Sequence, residues 1–379
     1  MKPTWFQRFL LPGLAFKAVV IGGGYATGRE LAEFFMPSGP QGGLMGMLLA
    51  MAIWSLVCAA TFLFAYATAS FDYRSFFRAL LGPLWWLFEA SYLLFMVLIL
   101  AVLGAAAGAI ASAVLGWPQI LGALCLMAGI VLFTAFGNRS VERLFKWASC
   151  FLYGVYALFV VFAFSSFGDR IAQNLSISHP TNGWALSGMT YAGYNIVCAV
   201  VILPVARYFL RPRDALLAGL VAGPMAMLPA LLFFLCMIAW YPEIGGQVLP
   251  SDFMLQRLDR PIFHIVFQAM IFSALLETGT GAVHALNERV SVAWRARSGR
   301  TLSSTGRLAI ATALLVGSIF VAERFGLITL IARGYRALAW VLFIVYVLPL
   351  LTIGVWRLRR GTQPVAIELP QRNAVRRTS

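Results

Sequence analysis

The chain has 379 residues, 61% of them hydrophobic and 11% charged, with a mean hydropathy of +0.83. A soluble globular domain carries about 25% charged residues, so this composition excludes one and indicates an integral membrane protein. The net charge of +15 would suggest nucleic acid in a soluble chain. Here the positive residues sit in short loops and at the termini, where orientation signals belong, and no nucleic-acid partner is expected.

A membrane span needs about 20 mostly apolar residues. Ten candidates run roughly over 12–36, 42–70, 83–115, 118–137, 143–168, 184–206, 214–241, 261–286, 306–322 and 327–356. The last is interrupted at its start by Arg333, Gly334 and Arg336, so it is read as starting near Ala337. Pro, Gly and charge mark the ends, as in Pro37-Ser38-Gly39-Pro40 and Arg211-Pro212-Arg213-Asp214. The first apolar stretch continues past any plausible cleavage site into a full span, so it is expected to be retained rather than removed as a signal peptide. Alternate loops carry the basic residues, from Arg74 and Arg78 through Arg207 and Arg211 to Arg295 and Arg297. The positive-inside rule then puts both termini in the cytoplasm, which agrees with an even number of spans. Residues 1–356 read as a single transmembrane domain. Residues 357–379 form a basic cytoplasmic tail expected to be disordered and to lie against anionic lipid.

The first span contains the run Ile21-Gly22-Gly23-Gly24-Tyr25-Ala26-Thr27-Gly28-Arg29-Glu30. Each interior glycine costs a helix about 1 kcal/mol relative to alanine. Irregular backbone at membrane depth is tolerated only against protein or a water-filled cavity. Glycines followed at once by charge therefore predict a broken helix beside a polar cavity, which is the main sequence pointer to a transporter binding site. The competing reading is a glycine face for close helix packing. The sixth span has a weaker interruption, Met189-Thr190-Tyr191-Ala192-Gly193-Tyr194-Asn195 followed by Pro204. It lies five spans later, so two five-span halves (about 12–168 and 184–356) would be inverted relative to each other.

A break exposes N–H groups on the outer half, around Thr27, Gly28, Arg29 and Glu30, which suit a carboxylate. Carbonyls of the inner half, from Val20 to Gly23, suit an ammonium group or Na⁺. Gly22, Gly23 and Gly24 allow backbone to approach a ligand, and Tyr191, Tyr194 and Asn195 would supply the opposite wall. Arg29 and Glu33 are four apart and able to pair, either as an outer gate or as part of a solvated vestibule. Glu30 is a candidate for binding an ammonium group or a proton. Glu277 lies mid-span in the eighth segment, where ionisable residues are rare and usually functional; it is read as an ion ligand, a proton carrier or a partner of Lys17. Lys146 is expected to snorkel or to stand in for a coupling ion, and Glu89 to be interfacial. The pairs His264/Gln268 and His284/Glu288 have too few ligands for a metal site and are read as structural hydrogen bonds. Cys58, Cys125, Cys150, Cys198 and Cys236 lack metal-ligand spacing and are expected to be buried and reduced.

Three motifs carry a resemblance. Gly22–Glu30 resembles the glycine-rich first-helix signature of the YkvI-type bacterial membrane protein family. Tyr191-Ala192-Gly193-Tyr194-Asn195 resembles its sixth-helix motif, and Thr278–Arg289 its eighth-helix ending. That family is similar to the amino acid–polyamine–organocation transporters. The resemblance implies an all-α membrane fold of LeuT type, with ten helices in a 5+5 inverted repeat and helices 1 and 6 broken. It also implies a location in the bacterial cytoplasmic (inner) membrane, and it makes Ser273, Glu277 and Thr278 candidates for holding a coupling ion, Na⁺ or H⁺, together with the Val20 and Gly23 carbonyls exposed by the break. No other metal or cofactor is expected, and no motif sets an oligomeric state.

The function expected from these features is ion- or proton-coupled secondary transport of a small zwitterionic or cationic solute, such as an amino acid or amine. A receptor or scaffold that kept the fold without transport is the alternative. An intramembrane enzyme is disfavoured, because HExxH, GxSxG and DxD patterns are lacking, and an ATP-driven pump because no nucleotide-binding domain is present.

Overall fold

The computed structural model describes residues 3–135, 138–300 and 303–360, and these contain helices and connections but no strand. A short helix, α1 (Trp5–Phe9), is fixed by a capping box between Thr4 and Gln7. The first span follows as three pieces, α2 (Leu11–Val20), α3 (Gly23–Ala26) and α4 (Arg29–Phe34). Next come α5 (Gly39–Ala67), α6 (Tyr73–Leu81), α7 (Trp86–Leu115), α8 (Gln119–Ala135) and α9 (Asn138–Ser176). The second half holds α10 (Trp184–Asn195), α11 (Val197–Val201), α12 (Pro212–Ile238), α13 (Pro250–Leu258), α14 (Pro261–Ser298) and α15 (Ser304–Thr329). It ends with α16 (Arg336–Leu342) and α17 (Val355–Arg359), set among π-helical stretches at Leu330–Tyr335, Phe343–Val347 and Leu350–Gly354.

Six stretches are long and apolar enough by themselves to cross a membrane: Arg29–Ala67, Tyr73–Leu115, Phe151–Ser176, Pro212–Ile238, Pro261–Ser291 and Thr305–Arg359. The expected spans 12–36, 118–137 and 184–206 fall on shorter or broken helices, and the ninth and tenth are parted, where expected, by non-helical backbone at Gly326 (φ +70°, ψ 165°). The expected late start near Ala337 is not seen. The helix passes through Arg333 and Gly334 by widening into a π turn. Two helices were not anticipated in the loops. One is α6, whose first N–H groups bond to Asp72 and which buries Phe76, Phe77 and Leu80. The other is α13, which opens on Pro250. The expected tail from residue 357 begins inside α17, and 361–379 lie outside the described residues.

The outer surface is apolar, with Leu56, Leu132, Val161, Ile265, Phe320 and Ile344 all exposed. Hydrocarbon, not water, suits such a face, and the chain is a membrane protein. Lipid tails are as apolar as leucine, so helices associate through close packing of small residues. At Gly219 of α12, a Cβ would lie 2.3 Å from the Ala59 backbone of α5. Across the same helix α5, the Trp54 indole donates to the Ala192 carbonyl of α10 at 3.2 Å. These contacts tie α5, α10 and α12 into the frame on which the broken first span rests. Cys58, Cys198 and Cys236 are buried as expected, but Cys125 is exposed on the outer side of α8. An apolar flank is equally suited to lipid, so apolar neighbours did not imply burial. The Cys150 side chain lies outside the described residues.

Candidate functional site

The glycine run breaks the first span twice. α2 ends where Ile21 leaves helical geometry at φ −76°, ψ 78°. A single turn, α3, follows, and Gly28 then adopts φ +77° before α4 begins. Only glycine fits at Gly28. Left-handed backbone is strained for other residues, and a Cβ there would lie 2.6 Å from the Phe233 ring and 3.2 Å from Pro250. The sixth span is interrupted more mildly. It changes pitch at Ile196, then at Ile202, and finishes as a 3₁₀ helix over Leu203–Tyr208 around Pro204.

A cavity of about 300 Å³ opens beside the first break. Val20, Ile21 and Gly22 line it from the first span and Glu30 from α4. Asn195 and Tyr194 come from α10, Cys198 from α11, and Glu277, Thr278 and Gly281 from α14. Glu30 is 6% exposed, and its Oε2 accepts a 2.5 Å hydrogen bond from the Tyr194 hydroxyl. The Tyr194 ring stacks on Tyr335, with centroids 4.4 Å apart and planes 26° apart. Tyr335, Tyr92, Phe95 and Met96 also line the cavity, and the sequence reading missed all four. The polar interruption Arg333-Gly334-Tyr335 was a usable signal for Tyr335. Tyr92, Phe95 and Met96 look like ordinary span residues, and nothing in the sequence separates them from their neighbours.

Of the expected binding residues, Gly22, Glu30, Tyr194 and Asn195 line the cavity, whereas Thr27, Gly28 and Tyr191 are elsewhere. The Thr27 carbonyl accepts from Ser251 N at 3.0 Å, and its hydroxyl faces Arg29 N at 3.3 Å. Thr27 and Gly28 thus meet the segment leading into α13. Tyr191 is fully buried in an aromatic cluster with Phe34, Phe35 and Trp54. These three positions share a motif with the lining residues but point away from it, because a helix places neighbouring residues on different faces. Gly23 and Gly24 open α3; their surroundings lie outside the described residues. Among the candidate ion ligands, Val20, Glu277 and Thr278 line the cavity. Thr278 also packs 3.6 Å from where a Gly22 Cβ would stand. Ser273 does not line it, and its hydroxyl is used within α14, donating to the Ala269 carbonyl at 2.9 Å.

The pairing of Arg29 and Glu33 is present, with Nη2 to Oε2 at 2.6 Å. Arg29 is only 3% exposed and also donates to the carbonyls of Gly245 at 2.9 Å and Gln247 at 2.7 Å. These carbonyls belong to the connection before α13, which therefore forms a lid over α4. The lid is held on its other side by Asp252. Asp252 accepts from Gln256 and Gln268 at 2.7 and 2.6 Å and meets His264 Nε2 at 2.6 Å. His264 and Gln268 are thus joined by hydrogen bonds as expected, through an aspartate the sequence reading had not included. No group of three metal-ligating side chains occurs among the described residues.

α7, from Tyr92 to Leu103, and α14, from Glu277 to Ala285, form further walls of the cavity. The Arg289 guanidinium lies 3.7 and 3.6 Å from the Tyr73 and Tyr92 ring centroids and 3.6 Å from Glu89. Arg8 grips Asp214 through two bonds of 2.9 and 2.7 Å, fastening α1 to the start of α12. The Lys17 ammonium lies over the Tyr153 ring, 4.1 Å from its centroid. The side chains of Lys146 and Glu288 lie outside the described residues.

No protein-family model matches the chain. It is 25% identical over 279 residues to a Bacillus subtilis (strain 168) protein named uncharacterized membrane protein YkvI, covering 72% of this chain and 78% of that one. Its fold resembles that of MhsT, solved with L-phenylalanine, with a TM-score of 0.58 and 15% identity over 95% of this chain and 99% of that one. It likewise resembles a Na⁺-coupled sialic acid symporter, with a TM-score of 0.60 and 15% identity over 91% and 78% of the two chains. The resemblance read from the three motifs therefore stands: the chain is a homologue of YkvI, and its fold is of LeuT type.

Proposed function

We propose that this protein is a secondary active transporter that moves a small zwitterionic or cationic solute by alternating access around the cavity at the first break. The carrying observation is the asymmetry of that cavity. Beyond Glu30 lies buried Arg29, bonded to the lid, while the rest of the cavity is walled by the N-terminal piece of the first span, from Ala18 to Gly22, and by α7 and α14. A site at a helix break with different elements on its two sides is what alternating access requires. In this reading the chain has ten spans in two inverted halves, about 12–168 and 184–356. Both termini lie in the cytoplasm of a bacterial inner-membrane protein, and the lid is extracellular, so Arg29 closes the outer side. The Na⁺-coupled neighbour supports a coupling ion. Val20, Glu277 and Thr278 offer oxygen ligands for one, and Glu30 or Glu277 would serve if the coupling ion is a proton.

The test is uptake of amino acids and amines into proteoliposomes, driven by a Na⁺ or a proton gradient. At Gly22 a Cβ has ordinary contact distances of 3.6 and 3.7 Å to Thr278, so Gly22→Ala should fold and transport. Gly22→Leu should fill the cavity and abolish uptake with the melting temperature retained. Uptake by the leucine variant at the wild-type rate would refute the site.

A further inference from the structure

Resting on the transport reading above, we infer that the solute is a carboxyl-free organic amine with an apolar or aromatic body, and that Glu30 is its ammonium-binding group. A zwitterion needs an anion site beside its cation site, and the cavity is built on one side of that requirement only. Glu30 and Glu277 line it, and no lysine, arginine or histidine does so among the described residues. The arginine nearest in sequence, Arg29, is turned away and committed to Glu33 and two lid carbonyls.

Among the described residues, the helix end at Gly28 is not offered to a carboxylate. The outer part of the first span restarts as a turn of 4 residues and a helix of 6, too short to build a strong positive end. The N–H of Arg29, at the start of α4, faces the Thr27 hydroxyl. The Thr27 carbonyl and Gly28 are sealed against Ser251, Phe233 and Pro250.

The opposite pole is present. α2, with 10 residues, ends at the cavity wall in Val20 and Ile21, and the C-terminal end of a helix favours a cation. Tyr194 orients the Glu30 carboxylate from one side, leaving its other oxygen for an ammonium group. The stacked rings of Tyr194 and Tyr335 lie beside it and provide a face that attracts cations. Phe95, Met96 and Ile99 complete an apolar wall for the remainder of the molecule. A divalent metal is disfavoured on the same grounds, since no cluster of three metal-ligating side chains exists among the described residues.

The experiment uses a matched pair that differs by one carboxylate, phenethylamine and L-phenylalanine, with MnCl₂ as a third probe. Each is tested for stabilisation of the purified full-length protein, since a ligand binding the folded state raises its melting temperature. Each is also tested for flux in proteoliposomes. The inference predicts that phenethylamine stabilises the protein and is transported while L-phenylalanine does neither. It predicts that Glu30→Gln, whose amide still accepts from Tyr194, weakens phenethylamine binding by about tenfold to a hundredfold with the unliganded melting temperature unchanged. Transport of L-phenylalanine without phenethylamine would overturn the inference and leave the transporter reading intact, and so would a response to Mn²⁺ alone. Phenethylamine binding unaltered by Glu30→Gln would overturn the role given to Glu30. Binding of phenethylamine without flux under any gradient would uphold the selectivity and overturn the transport reading beneath it.

Discussion

Arg29→Gln should open the lid side of the cavity. The wild-type guanidinium makes three hydrogen bonds, to Gly245, Gln247 and Glu33, at 2.9, 2.7 and 2.6 Å. Its side chain is 4% exposed and that of Glu33 18%. Breaking a buried pair by removing one partner costs about 3–5 kcal/mol, mostly as an uncompensated charge. Glutamine keeps one donor for a carbonyl, so the low end, about 3 kcal/mol, applies. That cost falls on the closed arrangement alone, because an opened lid leaves position 29 hydrated in either variant. A shift of about 3 kcal/mol changes the closed-to-open ratio by about 150-fold, taking a state closed 99:1 to about 40% closed. Cys198 is a native reporter, lining the cavity on α11. With Cys58, Cys125, Cys150 and Cys236 replaced, a membrane-impermeant maleimide applied from the lid side should label Cys198 slowly in wild type. Labelling should be about 60-fold faster in Arg29→Gln. Unchanged labelling in a variant that remains folded would refute the gate.

Gly28→Ala should destabilise the closed arrangement by about 2–4 kcal/mol, from left-handed strain and from contact with Phe233 and Pro250. The same labelling assay should report it, with a rise from the lid side. Gly219→Val should act on the whole fold, because its Cβ would meet the Ala59 backbone at 2.3 Å. A loss of about 3 kcal/mol or more should appear as a lowered melting temperature that no ligand of the cavity restores. Tyr335→Leu should remove the ring stacked on Tyr194 and weaken binding of an amine by about 1 kcal/mol, read as a roughly fivefold rise in Kd at unchanged stability.

The parts of the site legible in the sequence are those where a residue type is costly in a membrane. Glycines inside a span, and Arg29 and Glu30 beside them, had to be explained by a break and a cavity, and the structure has both. Glu277 was singled out on the same logic and lines the same cavity. What the sequence did not convey is direction. Within Gly22–Glu30, alternate faces of a twice-broken helix serve different ends: Gly22 and Glu30 meet the cavity, Thr27 and Gly28 the lid. Tyr191 and Tyr194 are three apart, yet the first packs among Phe34, Phe35 and Trp54 while the second reaches Glu30. Ser273 sits one turn from Glu277 and turns its hydroxyl to its own helix. The helices α6 and α13 escaped notice because a search for long apolar runs passes over short amphipathic ones. The lid built on α13 was lost with it, and so were the Gly245 and Gln247 carbonyls to which Arg29 donates.

If Arg29 is the gate and Glu30 the ligand-binding group, as proposed, their adjacency ties one to the other. These residues open α4, a helix of 6 residues, and face opposite ways: Arg29 toward the Gly245 and Gln247 carbonyls, Glu30 toward Tyr194 and the cavity. Gly28 precedes them with φ +77°, a position that supplies a pivot without a side chain to obstruct it. A ligand that draws on Glu30 therefore acts on the same short rigid body that carries the guanidinium to the lid. The effect passes onward through Tyr194 to Tyr335, since the two rings are stacked, and so reaches the π-helical start of the last span. A pivot, two charged groups on the short helix that follows it and a stack leading to a second element would be sufficient to couple occupancy to closure. Uncoupling should then be separable by position. Arg29→Gln should leave amine affinity in the opened state intact while losing closure, whereas Glu30→Gln should keep the lid shut and lose the ligand. If both variants lost both properties together in folded protein, α4 would not be acting as the coupling element.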